Sequence, residues 1–167
     1  GAVRLEPVWM ETGEAAGFAA ALAKRQGVAP AALDPDRLLR KLCEARFLVS
    51  FFNDVNVAGP QSWIPAAQYF GTKGFFADYD ARMDAPLKEA TGRAWAAGLR
   101  GLLGGTPDAD QLARAVAGAE SAGGPDLAEA AFAALLPAAA DAAVADARSI
   151  TRGAAVERMW RIVCARG

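Results

Sequence analysis

Residues 10–24 read METGEAAGFAAALAK, and their spacing is the first in the chain that could do chemistry. Gly13, Gly17 and Ala21 recur every four residues, with Ala16, Ala20 and Ala23 as the adjacent ridge. A helix built this way presents a face almost without side chains, which another helix or a ligand can approach to backbone distance. At the first turn of such a helix, unpaired amide N–H groups and the positive end of the dipole favour a partner carrying negative charge. Tight packing and charge recognition use different faces, so both readings stand.

Other chemistry is excluded by composition. The 167 residues contain no histidine, which removes the commonest general base and the commonest zinc ligand together. No serine can therefore enter a conventional triad. Asp78, Asp80 and Asp84 cluster in FADYDARMDAP, but Arg82 stands where a third calcium ligand belongs and the turn glycine is missing. That stretch reads as a solvated acidic turn with Asp84 as a helix cap. Cys43 and Cys164 sit in apolar helical surroundings and read as buried thiols. Trp63, Trp95 and Trp160 fall on helical stripes and read as core, unlike Trp9. No catalytic residue and no metal site is assigned.

Eighteen basic residues against nineteen acidic ones leave a charge of -1, with no basic block suited to nucleic acid. Hydrophobic residues make up 53%, much of it alanine in interrupted runs, and no stretch has the length needed to cross a bilayer. Neither membrane insertion nor a signal peptide is expected. The chain goes from Gly1 straight into a motif-like run and reads as a piece of something larger.

The elements that must position these residues are helical. Asp34-Pro35 caps and opens a helix expected over 35–49, with Leu38, Leu39, Leu42, Ala45 and Val49 as its stripe. Ser62 is placed as the cap of a second helix through Trp63, Ala67 and Phe70, stopped by Gly74. Asp84 is placed as the cap of a third, through Leu87, Trp95 and Leu99. Thr106-Pro107 and Pro125 open shorter helices, and the run Ala138–Ala143 has high helix propensity with little area to bury. Thr151 or Ser149 caps a last helix with Val156, Met159, Trp160 and Val163 on one face. Phe47–Phe52 is the one apolar run suited to strand pairing. The fold class is mainly α, a compact multi-helix domain.

Two resemblances rest on these residues. Arg4, Glu6, Pro7, Met10, Gly13, Ala15, Ala16, Gly17, Ala19 and Ala20 match R-x-E-P-x-x-M-x-x-G-Q-A-A-G-x-A-A. That pattern resembles the C-terminal flavin-contacting segment of bacterial FAD-dependent oxidoreductases, in particular the xanthan-lyase-like group. Glu14 stands where that family carries glutamine, and an acid there is less welcoming to electron-rich reduced flavin. The resemblance implies that the turn into the helix lies against the isoalloxazine ring, with Thr12, Gly13, Glu14, Ala15, Ala16 and Gly17 as the cofactor-contacting residues. It further implies a following helix like the one expected from Pro35. No G-x-G-x-x-G turn occurs in the chain, so FAD is expected in the full-length protein and not on this chain alone.

From Phe52 to Leu102, Phe52-Asn53-Asp54-Val55, Trp63, Lys73-Gly74-Phe75, Tyr79 and Pro86-Leu87 are similar to an S-layer homology repeat, a helix-turn-helix unit. The wall-binding form of that repeat carries a T-R-A-E tetrad at its second helix. Lys88-Glu89-Ala90-Thr91 replaces the tetrad here, and Ile150-Thr151-Arg152-Gly153 begins a partial second copy, with Thr151 read as a cap and Arg152 as a surface charge.

These readings divide the chain into a flavin-contacting segment with its following helix, 1–50, and an S-layer-homology-like helical lobe, 51–167. The function expected is that of the C-terminal fragment of an FAD-dependent oxidoreductase, inactive alone, whose partner is a missing N-terminal FAD-binding domain. The alternative is a non-catalytic module that docks on a cell-envelope polymer or protein. The compartment, cytoplasmic or exported, has no signal in the sequence.

Overall fold

The computed structural model of the protein describes residues 6–137 and 148–166. Seven α-helices account for most of these: α1 Glu6–Gln26, α2 Pro35–Glu44, α3 Ile64–Gly71, α4 Glu89–Leu103, α5 Ala109–Ala122, α6 Glu129–Leu135 and α7 Arg152–Ala165. The protein is mainly α, and among the described residues only isolated bridges, no strands, are present.

Three short extended segments organise the lobe. Residues 86–88, 126–128 and 149–151 each precede a helix, respectively α4, α6 and α7, and they pair in a closed cycle: Pro86 with Thr151, Lys88 with Asp126, Ala128 with Ser149. The Leu127 amide donates to the Leu87 carbonyl (2.7 Å), Ile150 to Leu127 (2.9 Å) and Leu87 to Ile150 (2.8 Å). A second tier repeats the cycle two residues on, with Glu89 donating to Pro125, Glu129 to Arg148 and Arg152 to Ala85. Leu87, Leu127 and Ile150 are buried at this pseudo-three-fold ring. Backbone groups that a strand would satisfy along a ladder are satisfied here around a triangle.

The ring explains where the sequence misplaces helix starts. Neither Asp84 nor Pro125 opens a helix, because the residues after each are held extended by the ring, so α4 starts at Glu89 after Lys88 and α6 at Glu129 after Ala128. Thr106-Pro107 likewise lies outside α5, which Asp108 caps by accepting from the Gln111 amide. Ser62 is not a cap: its hydroxyl donates to Glu157, and α3 begins after Trp63 without a side-chain cap. Asp34 and Thr151 do cap α2 and α7, accepting from the amides of Arg37 and Ala154.

Helix α2 stops at Glu44, short of Val49, because Arg46 takes a left-handed φ of 67°. The run Phe47–Phe52 forms no strand, since the buried Gln68 side chain accepts both the Val49 and Ser50 amides at 2.9 Å. The alanine run 138–143 lies outside the described residues. Around the ring, α3 packs on α7, α4 on α5 and α2 on α3. The shared core includes Phe70, Phe75, Trp95, Leu99, Phe132 and Met159.

Arg152 corrects the expectation of a surface charge. It is only 6% exposed, because the ring places the first turn of α7 inside the lobe. Its guanidinium donates to the Ala81 carbonyl (2.8 Å) and to Glu120 (2.7 Å), and stacks 5.0 Å from the Trp95 ring and 5.6 Å from Phe76. Trp95 in turn donates its indole N–H to the Phe75 carbonyl at 2.6 Å.

Candidate functional site

Helix α1 is held to the lobe by its C-terminal half. Phe18 meets Phe47 edge-on with ring centroids 5.3 Å apart, and Leu22 and Ala23 are buried. Gly27, at φ 67°, ends the helix in the left-handed turn that glycine adopts without strain. The N-terminal half has no such anchor. Trp9 is 61% and Met10 70% exposed, and apart from the helix's own adjacent backbone no described atom lies within 4 Å of the point where a Cβ would stand on Gly13 or Gly17. Among the described residues, the main core cluster takes none from α1.

This placement bears directly on Thr12, Gly13, Glu14, Ala15, Ala16 and Gly17. All six lie on α1, and the glycines share an open face. Ala15 is half-buried and borders, with Glu11 and Glu14, a cleft of about 200 Å³ whose other wall is Leu42 and the 45–49 loop. Among the described residues the helix already runs from Glu6, so the amides from Thr12 to Gly17 lie inside it and donate to carbonyls four residues back. The Thr12 hydroxyl also turns backward, donating to the Val8 carbonyl at 2.7 Å. For a flat cofactor the two halves of the requirement diverge. The side-chain-free face fits close approach, whereas the amides, as α1 stands, do not fit recognition of charge at a helix start.

Elsewhere the polar groups are tied into packing. Asp36 clamps α2 to α3 by accepting from the buried Tyr69 hydroxyl (2.9 Å) and from Lys73 (2.8 Å). Burial, followed by that bond to Asp36, pushes the Tyr69 phenol well above its ordinary range. Asp54 accepts the amides of Ala81 (2.8 Å) and Arg82 (2.6 Å), fixing the acidic turn where Arg82 sits at φ 51°. Asp78 pairs with Arg82 at 2.6 Å, and that bond holds its carboxyl below the usual carboxylate range. The sequence sets Asp78, Asp80 and Asp84 together and places Asp54 in the repeat-like segment, but gives no sign that Asp54 binds the acidic turn, because its partners lie 27 and 28 residues away.

Cys43 and Cys164 are both free, the first buried and the second partly so. Burial pushes the Cys43 thiol up to about 12 and raises Cys164 in the same direction. Since the thiolate is the reactive form, a thiol reagent at neutral pH is expected to modify Cys43 only as fast as the protein unfolds, with Cys164 labelled first. Rapid stoichiometric labelling of Cys43 in the folded protein, read by mass spectrometry, would contradict this.

The comparisons with known proteins bear on the same end of the chain. The family model for FAD dependent oxidoreductases matches residues 1–42, which contain α1 and most of α2. No curated protein and no solved structure matches. The match links the opening segment, and not the helical lobe, to FAD-dependent oxidoreductases.

Proposed function

We propose that this chain is the C-terminal part of an FAD-dependent oxidoreductase of the xanthan-lyase-like group. In this reading residues 1–50 complete the wall of a flavin pocket and residues 51–167 form an S-layer-homology-like lobe. The observation that carries it is the open N-terminal half of α1, which lies within the family-matched residues 1–42. A helix that only had to pack on its own lobe would not leave Trp9, Met10 and both glycine positions uncovered.

The flavin supplies the redox chemistry when bound. This chain's contribution is close approach at Gly13 and Gly17, and apolar cover from Val8, Trp9 and Met10 for the FAD-binding unit. The test is to read the gene upstream of residue 1 and to express the chain joined to the unit encoded there. The joined protein is expected to purify with bound FAD, and the 167-residue chain to retain none. An upstream frame without a dinucleotide-binding turn, together with a colourless product, ends the reading.

A second reading, an interaction module for a cell-envelope polymer or protein, is favoured by the pseudo-three-fold ring, which supports a repeat architecture with starts at 86, 126 and 149. Against polymer anchoring, the first two repeats carry Glu89 and Glu129 where the tetrad has arginine, and Arg152 in the third is enclosed. Co-sedimentation with purified envelope polymer is therefore expected to show no retention above a control protein, and retention on envelope protein would support this second reading.

A further inference from the structure

We infer that the moving joint of this protein lies at residues 27–33, so that α1 is an arm on a rigid body formed by α2 and the lobe. Resting on the flavoprotein reading above, the arm stays with the FAD-binding unit, and α2 and the lobe turn against that unit as one piece. The joint falls inside the family-matched residues 1–42, and it narrows the chain's share of the flavin pocket from residues 1–50 to α1. Two helices of the same matched stretch are fastened in opposite ways. Helix α2 is tied down along its length. At its first turn Asp36 accepts from the Tyr69 hydroxyl (2.9 Å) and from Lys73 (2.8 Å). In its middle Arg40 donates to the Val163 carbonyl of α7 (3.4 Å), and near its end Cys43 is fully buried in the main core cluster. The chain beyond continues the attachment, with Arg46 donating to the Gln61 carbonyl (3.1 Å) and the Val49 and Ser50 amides to the Gln68 side chain. Hydrogen bonds are directional, so this set fixes orientation as well as contact.

Helix α1 has no fastening of that kind. Among the described residues, no hydrogen bond or ion pair joins it to α2 or to the lobe. Apolar contact through Phe18, Leu22 and Ala23 holds it instead. Such contact is non-directional, so it opposes separation more than it opposes tilting. The connection adds no constraint, since residues 24–32 are all exposed. Its backbone bonds are local, from Gly27 to Lys24, Val28 to Ala23, Ala32 to Ala29 and Leu33 to Pro30. Ala29 and Leu33 flank the single 3-10 turn Pro30–Ala32 with extended backbone, and loop positions of this sort absorb the change in φ and ψ when two bodies turn. The cleft of about 200 Å³ between α1 and the 45–49 loop leaves room for the tilt.

The experiment needs no variant and starts with the 167-residue chain. Residual dipolar couplings of the weakly aligned protein are expected to fit one orientation for α2 to α7, and a separate one of reduced amplitude for α1. A single orientation for all seven helices, or α2 grouping with α1, overturns the inference. Limited trypsin digestion reads the same joint. Between residues 20 and 60 the first cut is expected after Lys24 or Arg25, with Arg37, Arg40, Lys41 and Arg46 protected, because cleavage follows local opening. A first cut at any of those four places the joint elsewhere and overturns it too. In the chain joined to the unit encoded upstream, the same cut is expected to release a colourless lobe from an FAD-bearing fragment on gel filtration. If the cut fails, or the two fragments stay together, the lobe is fixed to the flavin unit and does not turn. If the joined protein holds no FAD before digestion, the flavoprotein reading itself has failed, while the couplings of the chain alone still decide the arm.

Discussion

Replacing Arg152 with alanine is expected to lower the stability of the lobe by about 3 kcal/mol, the lower end of the range for removing one member of a buried ion pair. Glu120, itself largely buried, loses its 2.7 Å partner and, among the described residues, is left with Arg82 at 3.5 Å. The Ala81 carbonyl loses a donor, and the Trp95 and Phe76 rings lose the cation stacked on them. For a domain of this size the change corresponds to a fall in Tm of roughly 6–12 °C. Lysine should restore less than half, because its point charge has neither the fork that spans Glu120 and Ala81 nor the planar face that stacks. Urea unfolding of the three proteins decides the matter, and an alanine variant within about 1 kcal/mol of wild type would show that Arg152 is not a structural centre.

Gly74→Val should be worse, at about 4 kcal/mol or more, since a β-branched residue is forced into a left-handed backbone and against a neighbour. Gly74 sits at φ 82°, and a Cβ there runs into the backbone carbonyl of Ala109 at the start of α5. Backbone cannot swing away as a long side chain can, so relief requires α5 to move from α4, its main packing partner. The contrast is Gly13→Ala on α1. With open space around it and an ordinary helical backbone, this change should raise stability by up to about 1 kcal/mol in the chain alone. Thermal melts of the two variants therefore test whether the glycines of α1 serve this lobe. Loss of stability in Gly13→Ala would mean that they do.

How much of this was legible in the sequence follows from how local each signal is. The Asp34 and Thr151 caps act over three residues, and the Gly74 turn is a property of one, so all three could be read directly. The ring could not. Its segments are three residues long, carry no alternating pattern and pair across gaps of 21 to 65 positions. Because it was invisible, Asp84 and Pro125 looked like helix starts. The enclosure of Arg152 depends on Glu120, 32 residues away, and on Trp95, so a charged residue with no local partner was read as solvent-facing. At the candidate site, the residue types and their four-residue spacing were readable. That α1 already runs through residues 6–11 was not, because Thr12 is itself a good local start signal.

The triangular closure also governs how the polypeptide can mature as it leaves the ribosome. Of its three central links, only Leu127 to Leu87 lies wholly within the first 137 residues, and both remaining links need Ile150. A nascent chain not yet extended to Ile150 therefore holds an open two-sided scaffold, with Leu87 and Leu127 deprived of their third neighbour. Addition of residues 149–165 completes two sides at once, so closure of the ring should be abrupt, and chains cut before Ile150 should be degraded rather than accumulate as smaller folded forms.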